Sequence, residues 1–256
     1  MVLHEQILNL QRSRKPVVLV TLVNTRGSTP RKPGAKMLVF PNGTTEGTVG
    51  GGRVEHAVIT AAGEAFTEKK PRLLNYQLTS ELAMCCGGEM TFFLEPLIPS
   101  PSLFVFGCGH VGNAVLHAAS HLSFDLFAID DLDQNLTPEA IPSSCHRIDT
   151  YEPDELEALP FDSRTSIVIA TRDHRLDQDL LEFCIKKDFR YLGVIGSQRK
   201  AHMQEERLAA KGVSDELIKR IQCPIGLDIG AQSPAEIALS ICAELVQIQR
   251  SLDVLP

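Results

Sequence analysis

From Leu103 onward, short apolar runs alternate with stretches whose apolar residues recur every three to four positions. The runs are 103–106 (LFVF), 124–129 (FDLFAI), 166–170 (SIVIA) and 191–195 (YLGVI), with a weaker one near 145–148. Apolar runs of this length suit strands covered on both faces. Helical spacing marks 111–121, 153–159, 176–187, 198–211 and 234–250. Strand–helix alternation of this kind predicts parallel strands joined by crossover helices. In the last helix Ile237, Ala238, Ile241, Leu245 and Ile248 form a stripe that suits a core or an interface equally well.

The first hundred residues follow another pattern. An amphipathic helix with polar breaks opens the chain, and residues 17–24 (VVLVTLVN) read as a strand by β-branched content. Residues 35–41 and 44–49 flank Asn42-Gly43, a strong hairpin signal. Residues 53–68 carry Val54, Ala57, Val58, Ala61, Ala62 and Ala65 at helical spacing, and strands follow at 72–78 and 89–95. Strands gathered around one helix predict a small α+β domain. The segment Ile98-Pro99-Ser100-Pro101-Ser102 suits neither a central strand nor a helix interior, so the border falls there. The expected domains are 1–98 and 103–256.

Composition narrows the class. The 256 residues are 43% hydrophobic and 22% charged, ordinary for a soluble globular protein. A net charge of -7 speaks against nucleic acid and anionic lipid as partners, so any anion must be bound by local groups. No stretch nears the roughly 18 apolar residues of a membrane span, and the opening lacks the apolar core of a signal peptide. The seven cysteines are irregularly spaced and read as reduced thiols in a cytoplasmic protein.

One motif stands out against this background. Gly107-Cys108-Gly109-His110-Val111-Gly112 directly follows the strand LFVF and opens a helix. Gly107 allows a tight turn, Gly109 lets backbone approach a phosphate, and Gly112 lets the helix pack on the strand. The helix start supplies free N–H groups and a positive dipole end. Asp130 and Asp131 close the next strand, at the spacing of a ribose acceptor. Strand, glycine loop, helix and acid together predict a Rossmann-like nucleotide-binding domain. The loops Thr171-Arg172-Asp173-His174-Arg175 and Gly196-Ser197-Gln198-Arg199-Lys200 follow later strands, so both are expected at the same crevice. Ser197 also suits a helix N-cap, and Asp173-His174 an acid–base pair.

Three further loops lie in the first domain. Residues 26–36 bring Arg26, Arg31, Lys32 and Lys36 together in an acidic chain, a candidate anion clamp. Gly50, Gly51 and Gly52 precede the helix carrying Glu55 and allow close backbone approach by a ligand or another chain. They lack the Gly-Lys-Ser/Thr ending of a nucleotide-hydrolysing loop. Cys85 and Cys86 precede Gly87-Gly88; a bond between adjacent cysteines is strained, so free thiols are expected, suited to sulfur transfer or a soft metal.

These segments carry a resemblance. RGSTPRKPGAKMLV, GTVGGGRVEHAV, CCGGEMTFFLEPL, LFVFGCGHVG, FAIDD, ATRDHRLDQDLL, YLGVIGSQRKAHM and CPIGLDIGAQSPAEIALSICAEL resemble, in order, the xanthine dehydrogenase accessory protein family, XdhC/CoxI. The resemblance implies a molybdenum cofactor-binding chaperone with an XdhC/CoxI domain and a Rossmann domain. It implies protection of the cofactor during sulfuration, with a cysteine desulfurase as sulfur source. It further implies delivery to an apo molybdenum hydroxylase of the xanthine dehydrogenase type. A molybdopterin-type cofactor is phosphorylated, which gives the loops at Gly107, Gly109, His110 and Gly112 a ligand. Asp130, Asp173, His174, Ser197, Arg199 and Lys200 then hold ribose or pterin groups. Arg31, Lys36, Gly51 and Gly52 serve as anion contacts, and Cys85 and Cys86 as molybdenum or sulfur contacts. A homodimer is expected on the base rate for soluble oligomers. Two other readings stay open from the residues alone: an NAD(P)-dependent oxidoreductase and a dinucleotide-sensing module. Against the first, the N-terminal domain shows no hydride-transfer constellation.

Overall fold

Alternating burial along the strands sorts the chain into layers. The structure, a computed structural model, describes residues 3–78 and 87–253. The chain divides into two units, Met1–Pro99 and Ser100–Pro256.

The first unit runs α1 (Leu3–Arg12), β1 (Val17–Arg26), β2 (Lys36–Val39), β3 (Thr45–Gly47), α2 (Gly52–Glu68), β4 (Arg72–Gln77) and β5 (Glu89–Leu97). Its strands form one antiparallel sheet in the order β3-β2-β1-β5-β4. Val18, Val20 and Leu22 of β1, with Met90, Phe92 and Leu94 of β5, point to one face. There they meet Val54, Val58, Ala61 and Ala62 of α2. This period of two meeting a period of 3.6 is what one-face burial of a sheet requires. The Asn42-Gly43 signal marks a real hairpin between β2 and β3. Its connection runs from Phe40 to Thr44, with Gly43 at φ +79° and the Asn42 side chain accepting from Thr44 N at 3.1 Å.

The second unit runs β6 (Ser102–Phe106), α3 (His110–Ala119), β7 (Asp125–Ile129), β8 (His146–Ile148), α4 (Pro153–Leu156) and β9 (Ser166–Ile169). It continues through α5 (His174–Cys184), β10 (Tyr191–Val194), α6 (Gln198–Ala210), α7 (Asp215–Ile218), β11 (Ile221–Gln222) and α8 (Pro234–Asp253). The sheet is parallel throughout, in the order β11-β10-β9-β6-β7-β8. The chain enters at β6, works outward to β8, then crosses to β9 on the other side of β6. This is the Rossmann strand order, and it leaves a crevice where the order reverses, between β6 and β9.

Every residue of β6 is buried, because both faces are covered. Leu103 and Val105 pack with Val115 and Leu116 of α3 and with Ala238, Ile241 and Leu245 of α8. Phe104 and Phe106 pack with Leu180 and Leu181 of α5 and Leu208 of α6. The apolar stripe of α8, open to two readings in the sequence, is therefore core. α7 and β11, of four and two residues, are too short to leave a periodic trace.

Candidate functional site

The glycine loop lies at the switch point. A cleft of about 280 Å³ opens there, between Gly107, Gly109, His110 and Asp130 on one side and Thr171 and Arg172 on the other. The three glycines have three separate causes. Gly107 sits at φ +91°, and a Cβ there would lie 2.4 Å from Ala170 O. At Gly112 a Cβ would lie 1.8 Å from Gly107 O, so the bare backbone lets α3 pack against the loop. At Gly109 φ is -66° and a Cβ would meet nothing within 4 Å. Nothing in the chain itself demands glycine at that position. What its absent side chain provides is space, at the N-cap of α3, where no side chain caps the helix. The first amides of α3 are therefore available to an anion.

Asp130 holds this loop. Its carboxylate accepts from Cys108 N at 2.7 Å, Leu132 N at 2.9 Å and Asn135 Nδ2 at 3.1 Å. The residue is 3% exposed. The sequence assigns it a ribose hydroxyl; in the structure those acceptor positions tie the glycine loop to the end of β7. Asp131 pairs with the Arg172 guanidinium, one arm at 2.8 Å, and this hydrogen bond lowers its pKa from the ordinary value despite burial. The Cys108 thiol is buried, and burial pushes its pKa up, so it is not a ready thiolate.

The two later loops do not share one crevice. Thr171, Arg172 and Ile195 line the glycine-loop cleft, whereas His174, Ser197, Arg199 and Lys200 line a separate groove between α5 and α6. Asp173 caps α5, accepting from Arg175 N at 2.7 Å, and Ser197 caps α6, accepting from Lys200 N at 3.3 Å. Lys200 turns inward, and its ammonium donates to Asp177 Oδ2 at 2.6 Å and to Ile195 O at 2.7 Å. Asp177 Oδ1 accepts from Thr171 N at 3.0 Å and Thr171 Oγ1 at 2.7 Å. Asp177 thus joins the loops after β9 and β10, a role that the sequence reading missed. Its signal was there: it stands three and four residues before Leu180 and Leu181, on the apolar stripe of α5. A carboxylate survives on such a stripe only when paired.

In the first unit, tertiary structure gathers loops that are far apart in sequence. A Cβ on Gly88 would lie 2.4 Å from Ser28 O, and one on Gly50 would lie 3.0 Å from the Pro30 ring. The turn at 26–30 therefore packs against both the triple-glycine loop and Gly87-Gly88. Arg31 is exposed, while Lys36 donates to Thr21 Oγ1 at 3.0 Å. Gly51 and Gly52 lead into α2 with φ of +70° and +62°. Their loop already holds an anion, the Glu55 carboxylate. It accepts from Thr48 Oγ1 at 2.5 Å, Gly51 N at 3.0 Å and Val49 N at 3.2 Å.

Burial pushes the Glu55 carboxyl upward, but the bonds from Thr48 and then from the loop amides outweigh it and lower its pKa. A lowered folded-state pKa adds stability above the unfolded value, and that stability is lost as pH falls through the folded one. Glu55→Gln is expected to destabilise the chain by about 1–2 kcal/mol near neutral pH. The gap from wild type should close as pH drops below about 4. Urea unfolding at several pH values checks this, and a gap that persists in acid would refute it.

Cys85 and Cys86 lie outside the described residues. Among the described residues no cluster of three His, Cys, Asp or Glu side chains is arranged to hold a metal, and no helix is long and apolar enough to cross a membrane.

Comparison with known proteins places these features. Residues 103–245 match the XdhC Rossmann domain, and residues 10–77 match the XdhC and CoxI family. The chain is 35% identical over 94% of its length to the uncharacterized protein YqeB of Escherichia coli K12, of which it covers 45%. It is 26% identical over 63% of its length to a probable xanthine dehydrogenase subunit of Bacillus subtilis 168, covering 47% of that protein. It thus spans about half the length of these two relatives. It is also 25% identical over 93% of its length to the molybdenum cofactor insertion chaperone PaoD of E. coli K12, covering 85% of it. A crystal structure titled as a xanthine dehydrogenase from Bacillus halodurans shares the fold, with a TM-score of 0.53 at 23% identity, covering 98% of this chain and 96% of that one.

Proposed function

Because the chain belongs to the XdhC and CoxI family, we propose that it is an accessory protein that binds the molybdenum cofactor and passes it to a molybdenum hydroxylase of the xanthine dehydrogenase type. In this reading it shields the cofactor while a cysteine desulfurase supplies the terminal sulfur. When bound, the cofactor carries the molybdenum centre that the client enzyme uses.

The observation that carries the reading is the open space at Gly109 beside an uncapped helix start. A phosphate fits there: Gly109 yields the room, and the first amides of α3 supply donors. The cleft of about 280 Å³ suits the phosphate end of a ligand rather than the whole of a phosphorylated pterin. The gathered loops of the first unit, with Arg31 exposed, serve as a further anion contact. Cys85 and Cys86, next to Gly87-Gly88 in sequence, are assigned to the sulfur or the molybdenum. The chain acts as a cytoplasmic homodimer.

The test is retention. Protein purified from a host that makes the cofactor is expected to release an oxidised, fluorescent pterin after acid–iodine treatment. Absence of pterin, joined to saturable NADH binding by calorimetry, would instead make the chain a dinucleotide-binding oxidoreductase or sensor.

A further inference from the structure

One face of α8 is spent on the core, through Ala238, Ile241, Cys242 and Leu245. The helix carries a second pattern on another face. Glu236, Leu239, Ala243, Val246 and Arg250 recur at intervals of three, four, three and four residues. They form one seam two heptads long, about 21 Å of helix axis. Leu239 is 62% exposed, Glu236 and Arg250 are exposed, and Ala243 and Val246 are half-buried. A single exposed leucine is ordinary on a protein surface. An apolar centre at the spacing of a helix–helix seam, on a helix whose core face is already packed, is the pattern of a second helix contact.

The order of the seam selects its partner. Glu236 lies in the first turn of α8 and Arg250 in the last, at equal distances from Ala243. A copy laid alongside in the opposite direction sets Glu236 against Arg250, Leu239 beside Val246, and Ala243 against itself. A two-fold interface imposes this reversal, since each contact made by one copy recurs from the other. A parallel copy would instead set like charges together at both ends. Alanine at the centre lets the two helix axes close to about 8 Å, the near end of the usual range. Glu236 uses Oε2 for the amides of Gln232 and Ser233, at 2.8 and 2.9 Å, and a carboxylate has a second oxygen. Arg250 meets a group in its own chain, and a guanidinium has five donors to divide between partners.

We propose that this face of α8 is the two-fold interface between two copies of the chain, with their α8 helices antiparallel and Ala243 at the axis. The proposal rests on the homodimer of the reading above and gives that dimer its surface.

Charges placed at the axis test it. Sedimentation velocity on the full chain over a range of concentrations is expected to show a monomer–dimer equilibrium. Ala243→Glu and Ala243→Lys each bring like charges together across the axis, so each alone should weaken the dimer at least tenfold. An equal mixture of the two variants should recover it, because Glu then faces Lys; recovery also shows that both chains fold. Leu239→Ala should weaken the dimer without changing the far-UV circular dichroism. A wild type that stays monomeric would overturn the homodimer and this interface together. Dimers that persist unweakened in either single variant would leave the homodimer standing and overturn this interface. Two folded variants that stay monomeric when mixed would show that position 243 does not face itself, and would overturn the antiparallel arrangement.

Discussion

Asp177→Asn is expected to cost the chain about 3–5 kcal/mol, the range for removing one partner of a buried pair. Asp177 is 1% exposed and the Lys200 side chain 14%, so the ammonium left behind cannot return fully to water. Asparagine offers one neutral oxygen where aspartate offers two charged ones, so the ammonium and Thr171 must compete for it, with Ile195 O as the ammonium's other acceptor among the described residues. Thr171, whose amide and hydroxyl both donate to Asp177, loses a charged acceptor at the same time. The loops after β9 and β10 then lose their common anchor, and with them Thr171 and Arg172 on the wall of the glycine-loop cleft. Urea denaturation gives the stability change directly. The double variant Asp177→Leu, Lys200→Met should recover most of the loss, since an apolar pair leaves no buried charge unpaired. A loss below about 1 kcal/mol in the single variant would show that solvent screens this pair like a surface one.

Gly112→Ala and Gly109→Ala should part company sharply, although they stand only three positions apart in one motif. A methyl at Gly112 would overlap Gly107 O at 1.8 Å and press on Val105 Cγ1 at 3.2 Å. Neither backbone nor core can yield cheaply, so the expected loss is about 3 kcal/mol, at the upper end of overpacking. A methyl at Gly109 meets nothing within 4 Å at a backbone angle open to any residue. Its expected effect on stability is within about 0.5 kcal/mol, as for a substitution that touches nothing. That methyl stands where a phosphate must approach α3, so pterin retained on purification should fall at least tenfold. The contrast separates packing from binding in one loop. Equal retention by wild type and Gly109→Ala would remove the glycine-loop cleft from the proposed function.

Much of the fold was legible because burial leaves a period. The run LFVF becomes a strand covered on both faces, and the spacing in 53–68 becomes the α2 stripe against the antiparallel sheet. The glycine loop was legible for a different reason. Its residues are consecutive, so one turn brings them together without help from distant chain.

Side-chain partners leave no such trace. Asp130 looks in sequence like an acid free to meet a ribose, and only the fold shows Cys108 N and Leu132 N already donating to it. Lys200 and Arg199 are neighbours in one basic pair, yet one is buried on Asp177 and the other lines a groove unpaired. Glu55 reads as an ordinary first-turn acid until the triple-glycine loop folds over it.

The sequence by itself determined the strand–helix order, the parallel sheet of the second unit and the glycine loop that starts it. Each depends on residues close together in the chain, where spacing and local sterics decide. Tertiary structure alone decided which charges are spent within the protein and which remain for a ligand. It closed Asp130 and Lys200 inward and packed the turn at 26–30 on Gly50 and Gly88. It also divided one expected crevice into a cleft and a groove. Those outcomes rest on contacts between residues tens of positions apart, whose hydrogen bonds form only once the sheet has set its loops side by side.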